Sequence, residues 1–183
     1  MRLKMKPQNR LDRKLVFTGR ILNFYEDKIE TQDGKVVYYD FLGHKGAAAV
    51  VAVTDEGKLL MVRQYRNALD RFTVELPAGA KDTAEEEGIV CAARELEEET
   101  GFFSDNLEHL LTLNTTVAFC NEKIEVFIAK DLKPSKQNLD EDEFVEVETY
   151  SVEELLSMIY SGEITDSKTI AGIFAYKEKY LDK

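Results

Sequence analysis

Seven glutamates fall within the fifteen residues from Glu85 to Glu99, on a stretch whose apolar residues recur at helical spacing. Ile89, Ala92, Ala93 and Leu96 stand at i, i+3, i+4 and i+7, and Gly101 occupies the place of a left-handed C-terminal cap. The spacing predicts a helix over about residues 85–100. A helix turns by about 100° per residue, so with Glu95 at zero, Glu98 lies near about −60° and Glu99 near about +40°. The apolar stripe then centres about 110° from these three carboxylates, which are expected to flank the buried face, while Glu97 points away and reads as solvated. Like charges at i, i+3 and i+4 repel one another, and near a helix C-terminus they also oppose the macrodipole. Two readings follow. A hard divalent cation such as Mg²⁺, Mn²⁺ or Ca²⁺ offsets the repulsion, or the segment is an acidic, solvated face that Arg94 partly neutralises.

The rest of the composition limits the setting of that helix. The chain has 183 residues, with 24 Lys and Arg against 35 Asp and Glu, a formal charge of −11. This length suits one domain, or one domain with a small appended element, and 44% hydrophobic residues suffice for a core. The acidic balance argues against a nucleic-acid backbone as partner. No apolar run is long enough to cross a bilayer, and the start, Met-Arg-Leu-Lys-Met-Lys, has no apolar signal core, so no membrane partner is expected. Cys91 and Cys120 cannot form a disulfide framework, which points to a reducing cytoplasm.

Along the chain, residues 1–13 are polar and expected to fray. Lys14 to Tyr39 alternates around Asp33-Gly34 and reads as a β-hairpin. Strands are expected at Ala47–Val53, Lys58–Arg66, Phe72–Leu76, and about 108–118, 123–130 and 144–150. Ser151-Val152-Glu153-Glu154 has capping-box spacing and opens a helix ending near Gly162; a last amphipathic helix covers roughly residues 166–180. Helices and strands without strict βαβ alternation imply an α+β fold, an αβα sandwich around a mixed β-sheet.

The wording of the glutamate-rich segment resolves the choice left open by charge alone. Gly79, Glu86 and Arg94-Glu95-Leu96-Glu97-Glu98-Glu99-Thr100-Gly101-Phe102 closely resemble the Nudix box, Gly-x5-Glu-x7-Arg-Glu-U-x-Glu-Glu-x-Gly-U, with U a bulky apolar residue. One departure stands out: six residues, not five, separate Gly79 from Glu86. Glu75-Leu76-Pro77-Ala78-Gly79 is similar to the segment before the box in ADP-ribose pyrophosphatases and related nucleoside diphosphate sugar hydrolases. Val62-Arg63-Gln64-Tyr65-Arg66 resembles their phosphate-contacting strand, and the N-terminal hairpin their dimerising element.

What the resemblance implies is an enzyme, a Mg²⁺- or Mn²⁺-dependent pyrophosphatase that splits a nucleoside diphosphate sugar. Residues 1–45 would form the dimerising element of a homodimer and 46–183 the Nudix domain. Carried over, Glu95 and Glu99 are principal metal ligands, with Glu98 nearby in a catalytic role and the Ala78 carbonyl supplying another oxygen. Arg94 pairs with Glu86 to hold helix and loop in register, and Arg66 grips a phosphate. In the acidic stretch Leu139–Glu143, position favours Glu141 as general base and Glu143 as a further metal ligand. The ADP-ribose marker, a proline sixteen residues beyond the box glycine, is here Val117, and the following glycine is Ala118. Phe119 and Glu122 still resemble the residues flanking that turn and could line a nucleotide pocket, although Phe119 reads equally well as core. ADP-ribose leads as substrate and a GDP- or other nucleotide sugar competes with it. A noncatalytic nucleotide-sugar-binding protein is the rival from another class, and the intact Glu95, Glu98 and Glu99 argue against it. Cys120 reads as a packing residue, and His44 and His109 are assigned no role.

Overall fold

The alternation between Lys14 and Tyr39 builds three strands where the sequence predicts a hairpin. In a computed structural model, which describes residues 6–139 and 143–182, the strands are β1 (Asn9–Thr18), β2 (Asn23–Glu30) and β3 (Val36–Gly43). They form one antiparallel sheet in that order. Gly34, at φ 80°, makes the expected tight turn between β2 and β3. The polar start is in strand from Asn9 onward, because Arg13 clamps Asp27 through two hydrogen bonds of 2.6 and 2.5 Å. The guanidinium also lies 3.6 Å from the centre of the Phe41 ring. Leu15, Val16, Phe17 and Ile21 are exposed.

The remaining elements are β4 (Ala47–Val53), β5 (Leu59–Arg66), β6 (Arg71–Glu75), β7 (Ala78–Ala80), α1 (Gly88–Thr100), β8 (Phe102–Phe103), β9 (Asn106–Asn114), β10 (Lys123–Lys130), β11 (Lys133–Pro134), β12 (Val145–Tyr150), α2 (Val152–Ser161) and α3 (Ser167–Tyr176). A π-helical turn, Lys177–Leu181, continues α3. The chain divides into two units: residues 1–44 with 114–122, and residues 45–113 with 123–183. The segment 114–122 thus belongs with the first unit, where Leu42 donates to the Phe119 carbonyl at 2.7 Å. The strand expected to run to residue 118 stops at Asn114, since a turn closes there with Cys120 donating to the Thr116 carbonyl.

The second unit is a mixed sheet ordered β12-β5-β4-β10-β9, with β6 on β5 and β7 on β4. β10 runs parallel to β4; β5, β7 and β12 run antiparallel to their neighbours. The unbroken apolar run of β4 is what a strand buried on both faces requires. Ala49 and Val51 pack with Met61, Val126, Leu155 and Ile173 beneath α2 and α3. Ala48, Val50 and Ala52 pack with Leu60, Phe127, Cys91 and Leu96 beneath α1. Helix, sheet, helix: this is the expected α+β sandwich. The α2 capping box is present, Ser151 and Glu154 each bonding the other's backbone, and Gly162 closes the helix at φ 81°. Among the described residues no helix is long and apolar enough to cross a membrane.

Candidate active site

Helix α1 begins at Gly88, three residues later than its charge run suggests, so Glu85, Glu86 and Glu87 precede it. Glu86 is used as a loop brace: its carboxylate accepts the Asp82 N–H at 2.7 Å and faces Arg94 Nε at 3.5 Å. The C-terminal cap is as expected, with Gly101 at φ 71° and its N–H on the Glu97 carbonyl. The buried face is not where the apolar spacing places it. Ile89 and Val90 are exposed, whereas Cys91, Ala92, Glu95, Leu96, Glu99 and Thr100 are buried. On a turn of about 100° per residue, Glu99 lies near the middle of that arc. Two of the three carboxylates are therefore inside the packed face. Glu98 stays at its margin, and Glu97 is exposed and accepts a bond from Ser135.

Strand β7 explains how Glu95 and Glu99 come to be covered. It pairs antiparallel with β4 in the register Ala47↔Ala80, Ala48↔Gly79 and Ala49↔Ala78, and so passes over α1. The Ala78 N–H donates to Glu99 Oε2 at 2.8 Å. A Cβ built at Gly79 would overlap the Glu95 carboxylate, so only glycine allows this approach. Gly79→Ala is accordingly expected to displace the Glu95 carboxylate and, if that carboxylate holds a divalent ion, to lower the ion's affinity or the activity that depends on it by about 10–100-fold. Unchanged turnover with native circular dichroism would contradict it.

Arg94 Nη1 donates to Glu95 at 2.7 Å and to Glu98 at 3.0 Å, and Nη2 donates to the Ala80 carbonyl at 3.1 Å. Its expected partner Glu86 is thus only one of four carboxylates within 4 Å that share its charge, with Glu95, Glu98 and Asp82. Nε is the one buried side-chain polar atom among the described residues without a hydrogen bond. This single cation does not balance the site. Burial pushes the Glu95 carboxyl up to about 7 against the pull of Arg94, and the charges of Glu98 and Glu143 add to the rise. Burial likewise pushes Glu99 up to about 8, with Glu95 and Glu143 adding to it.

Among the described residues, no three His, Cys, Asp or Glu side chains are gathered tightly enough to hold an ion by themselves. The chemistry of the donor set nonetheless fits a divalent cation. Two buried carboxylates are short of positive charge, Glu98 is beside them, and Glu143 is near enough for its field to reach both. Glu141 lies outside the described residues.

Arg66 ends β5, and its Nε and Nη2 each donate to Glu75 at 2.7 Å. It is close enough to Glu99 to feel that charge. Phe119 and Glu122 lie in the first unit. Phe119 is half-exposed and lines a pocket with Asp27, Tyr39, Asp40, Phe41 and Val117. Glu122 accepts the Thr115 hydroxyl at 2.6 Å and stands 3.5 Å from His44 Nε2, so His44 has a partner that the sequence does not reveal.

A buried network behind Arg66 also escapes sequence reasoning. Glu75 accepts from Thr73 at 2.7 Å and from Lys168 at 2.5 Å, and Lys168 donates to Asp166 at 2.9 Å. Burial works against the Glu75 charge, yet Arg66 and Lys168 outweigh it and hold the carboxyl at about 2. Lys168 is 93 residues from Glu75 in sequence. The only signal for such a pair is a lysine in the first turn of an apolar helix.

The layered fold, with a helix that buries Glu95 and Glu99 under the strand Ala78–Ala80, defines a class, and comparison gives it its name. The NUDIX domain model matches residues 43–172, and the chain belongs to the Nudix family of hydrolases, enzymes that generally depend on divalent metal ions. It is 39% identical over 181 residues to the ADP-ribose pyrophosphatase of Bacillus subtilis (strain 168), covering 98% of this chain and 95% of that protein. It is 38% identical over 160 residues, 86% of each chain, to the methanol dehydrogenase activator of Bacillus methanolicus. A crystal structure of an ADP compounds hydrolase shares the fold, with a TM-score of 0.85 at 20% identity over 97% of this chain and 96% of that one.

Proposed function

We propose that this chain hydrolyses the pyrophosphate bond of ADP-ribose, yielding AMP and ribose 5-phosphate, with Mg²⁺ or Mn²⁺ as cofactor. The observation that carries the proposal is the charge-deficient pair formed by Glu95, beneath Gly79, and Glu99, bonded to the Ala78 N–H, with Arg66 near enough to feel the Glu99 charge. The identity to a named ADP-ribose pyrophosphatase over nearly the whole chain supports the substrate. Glu95, Glu98, Glu99, Glu143 and the Ala78 carbonyl would hold the metal. When bound, such an ion neutralises pyrophosphate oxygens and lowers the pKa of a bound water.

The chain's own residues divide the remaining work. Arg94 holds Glu95 and Glu98 in line from one nitrogen, fixing two carboxylates that would otherwise repel. Arg66 grips a phosphate, for which a planar guanidinium with several donors is suited. Phe119, half-exposed in the first unit, and Glu122 are further proposed substrate-binding residues. Glu141 is the proposed general base. Residues 1–45 are proposed as the dimerising element, the exposed Leu15, Phe17 and Ile21 being a face for a second copy of the chain. A reducing cytoplasm is the proposed compartment.

The test is to incubate the protein with ADP-ribose, GDP-mannose or ADP-glucose, with Mg²⁺ or with chelator, and to measure nucleoside monophosphate release. AMP from ADP-ribose, abolished by chelator and restored by Mg²⁺, is expected. Release from GDP-mannose alone overturns the substrate, and release from none of the three overturns the catalytic reading.

A further inference from the structure

The Glu75 carboxylate accepts four hydrogen bonds, two on each oxygen, which fills its acceptor sites in duplicate. Oε1 accepts both Arg66 Nε and the Thr73 hydroxyl, each at 2.7 Å. Oε2 accepts both Arg66 Nη2 at 2.7 Å and Lys168 Nζ at 2.5 Å. If Arg66 leaves, each oxygen keeps one partner, and the departing cation does not strand a buried anion.

The two cations differ in freedom. The Lys168 side chain is 10% exposed and is tied to Asp166 at 2.9 Å. Asp166 in turn caps α3 by accepting the Thr169 N–H at 3.0 Å, and the Thr169 hydroxyl accepts the Leu76 N–H at 3.0 Å. Lys168 is therefore anchored to the strand end that carries Glu75. The Arg66 side chain is 39% exposed, so its outer side is open to solvent. One cation is a fixture and the other borders solvent.

We propose that Lys168 is a positioning residue for substrate binding: by holding Glu75 permanently, it allows Arg66 to exchange that carboxylate for a phosphate oxygen of the substrate. Without Lys168, Arg66 is the only cation left on a buried carboxylate, and releasing it to a phosphate costs the pairing of Glu75. Substrate affinity then falls while the reacting centre, built on α1 and β7, is left in place. The proposal rests on the reading of Arg66 as a phosphate-binding residue.

Steady-state kinetics on ADP-ribose with Mg²⁺ test it through four variants. Lys168→Met is expected to raise KM by about tenfold or more with kcat within about twofold, the loss of one charge-assisted hydrogen bond to phosphate. Lys168→Met combined with Glu75→Gln is expected to return KM most of the way, because a neutral amide no longer traps Arg66. An unchanged KM in Lys168→Met, or a raised KM that the double variant does not relieve, overturns the proposal. If Lys168→Met does not fold, Lys168→Gln with Glu75→Gln, a pair without charge, takes its place, and a KM raised about tenfold there counts against it. Arg66→Ala separates the two claims. A normal KM in that variant defeats the Arg66 reading itself, whereas a raised KM alongside a normal Lys168→Met defeats the Lys168 inference alone.

Discussion

Replacing Glu99 with glutamine is expected to lower turnover of ADP-ribose by about three orders of magnitude, the equivalent of several kcal/mol of lost transition-state charge stabilisation. The change is isosteric and keeps an oxygen for the Ala78 N–H, so it removes charge and little else. Its second effect is of opposite sign. Glu99 titrates at about 8 in the folded chain, above the ordinary carboxylate value. The native state thus holds a proton that the unfolded state has already lost, and metal-free stability falls as pH rises from about 4.5 to about 8. Glu99→Gln should abolish this part of the alkaline loss, leaving a metal-free variant more stable at pH 9 than its parent. Added Mg²⁺ should raise the parent's melting temperature there and move the variant's far less. A variant with full turnover would refute Glu99 as a metal ligand. One that is inactive but no more stable without metal would refute the claim that its charge is unbalanced.

Glu75→Ala is expected to be the most destabilising single change near the site, by about 3–5 kcal/mol, because it strips the shared anion from a buried lysine and a half-buried arginine. For a chain of this length that corresponds to a fall in melting temperature of about 10 °C or more. The same carboxylate gives the protein an acid limit. Its folded pKa of about 2 lies below the ordinary value of a glutamate, so its contribution is complete above pH ~4.5 and is lost as pH falls toward 2. Glu75→Gln, which cannot titrate, should lack that part of the acid loss. Thermal melts between pH 7 and pH 2 measure both. A Glu75→Ala melting temperature within two or three degrees of the parent would show that the network is not holding β5, β6 and α3 together.

How much of this was legible beforehand varies with the range of the interaction. The turn at Gly34, the α1 cap at Gly101 and the Ser151 capping box depend on neighbours within four residues, and each stands where its spacing puts it. The two-sided burial of β4 also follows from its own unbroken apolar run. The box wording was sufficient to name the family. Failures appear where a distant strand decides. Helical phase placed Glu95 and Glu99 beside the buried face, and β7 placed them within it, because the wheel counts apolar side chains and cannot see a glycine backbone with an N–H to offer. Three of the seven glutamates fell outside the helix, since Gly88 and the Glu86 brace start it late.

The sequence by itself determined the helices, the turns, the layered class and the residues able to carry the chemistry, all of which are properties of local spacing and side-chain type. Only the tertiary structure decided how charged those residues are and which can move. Burial of Glu95 and Glu99 beneath the Ala78–Ala80 strand, and the double pairing of Glu75 by a strand arginine and a helix lysine 93 residues away, arise from segments that meet only on folding. Desolvation and pairing act through space, and no order of residues along the chain states them.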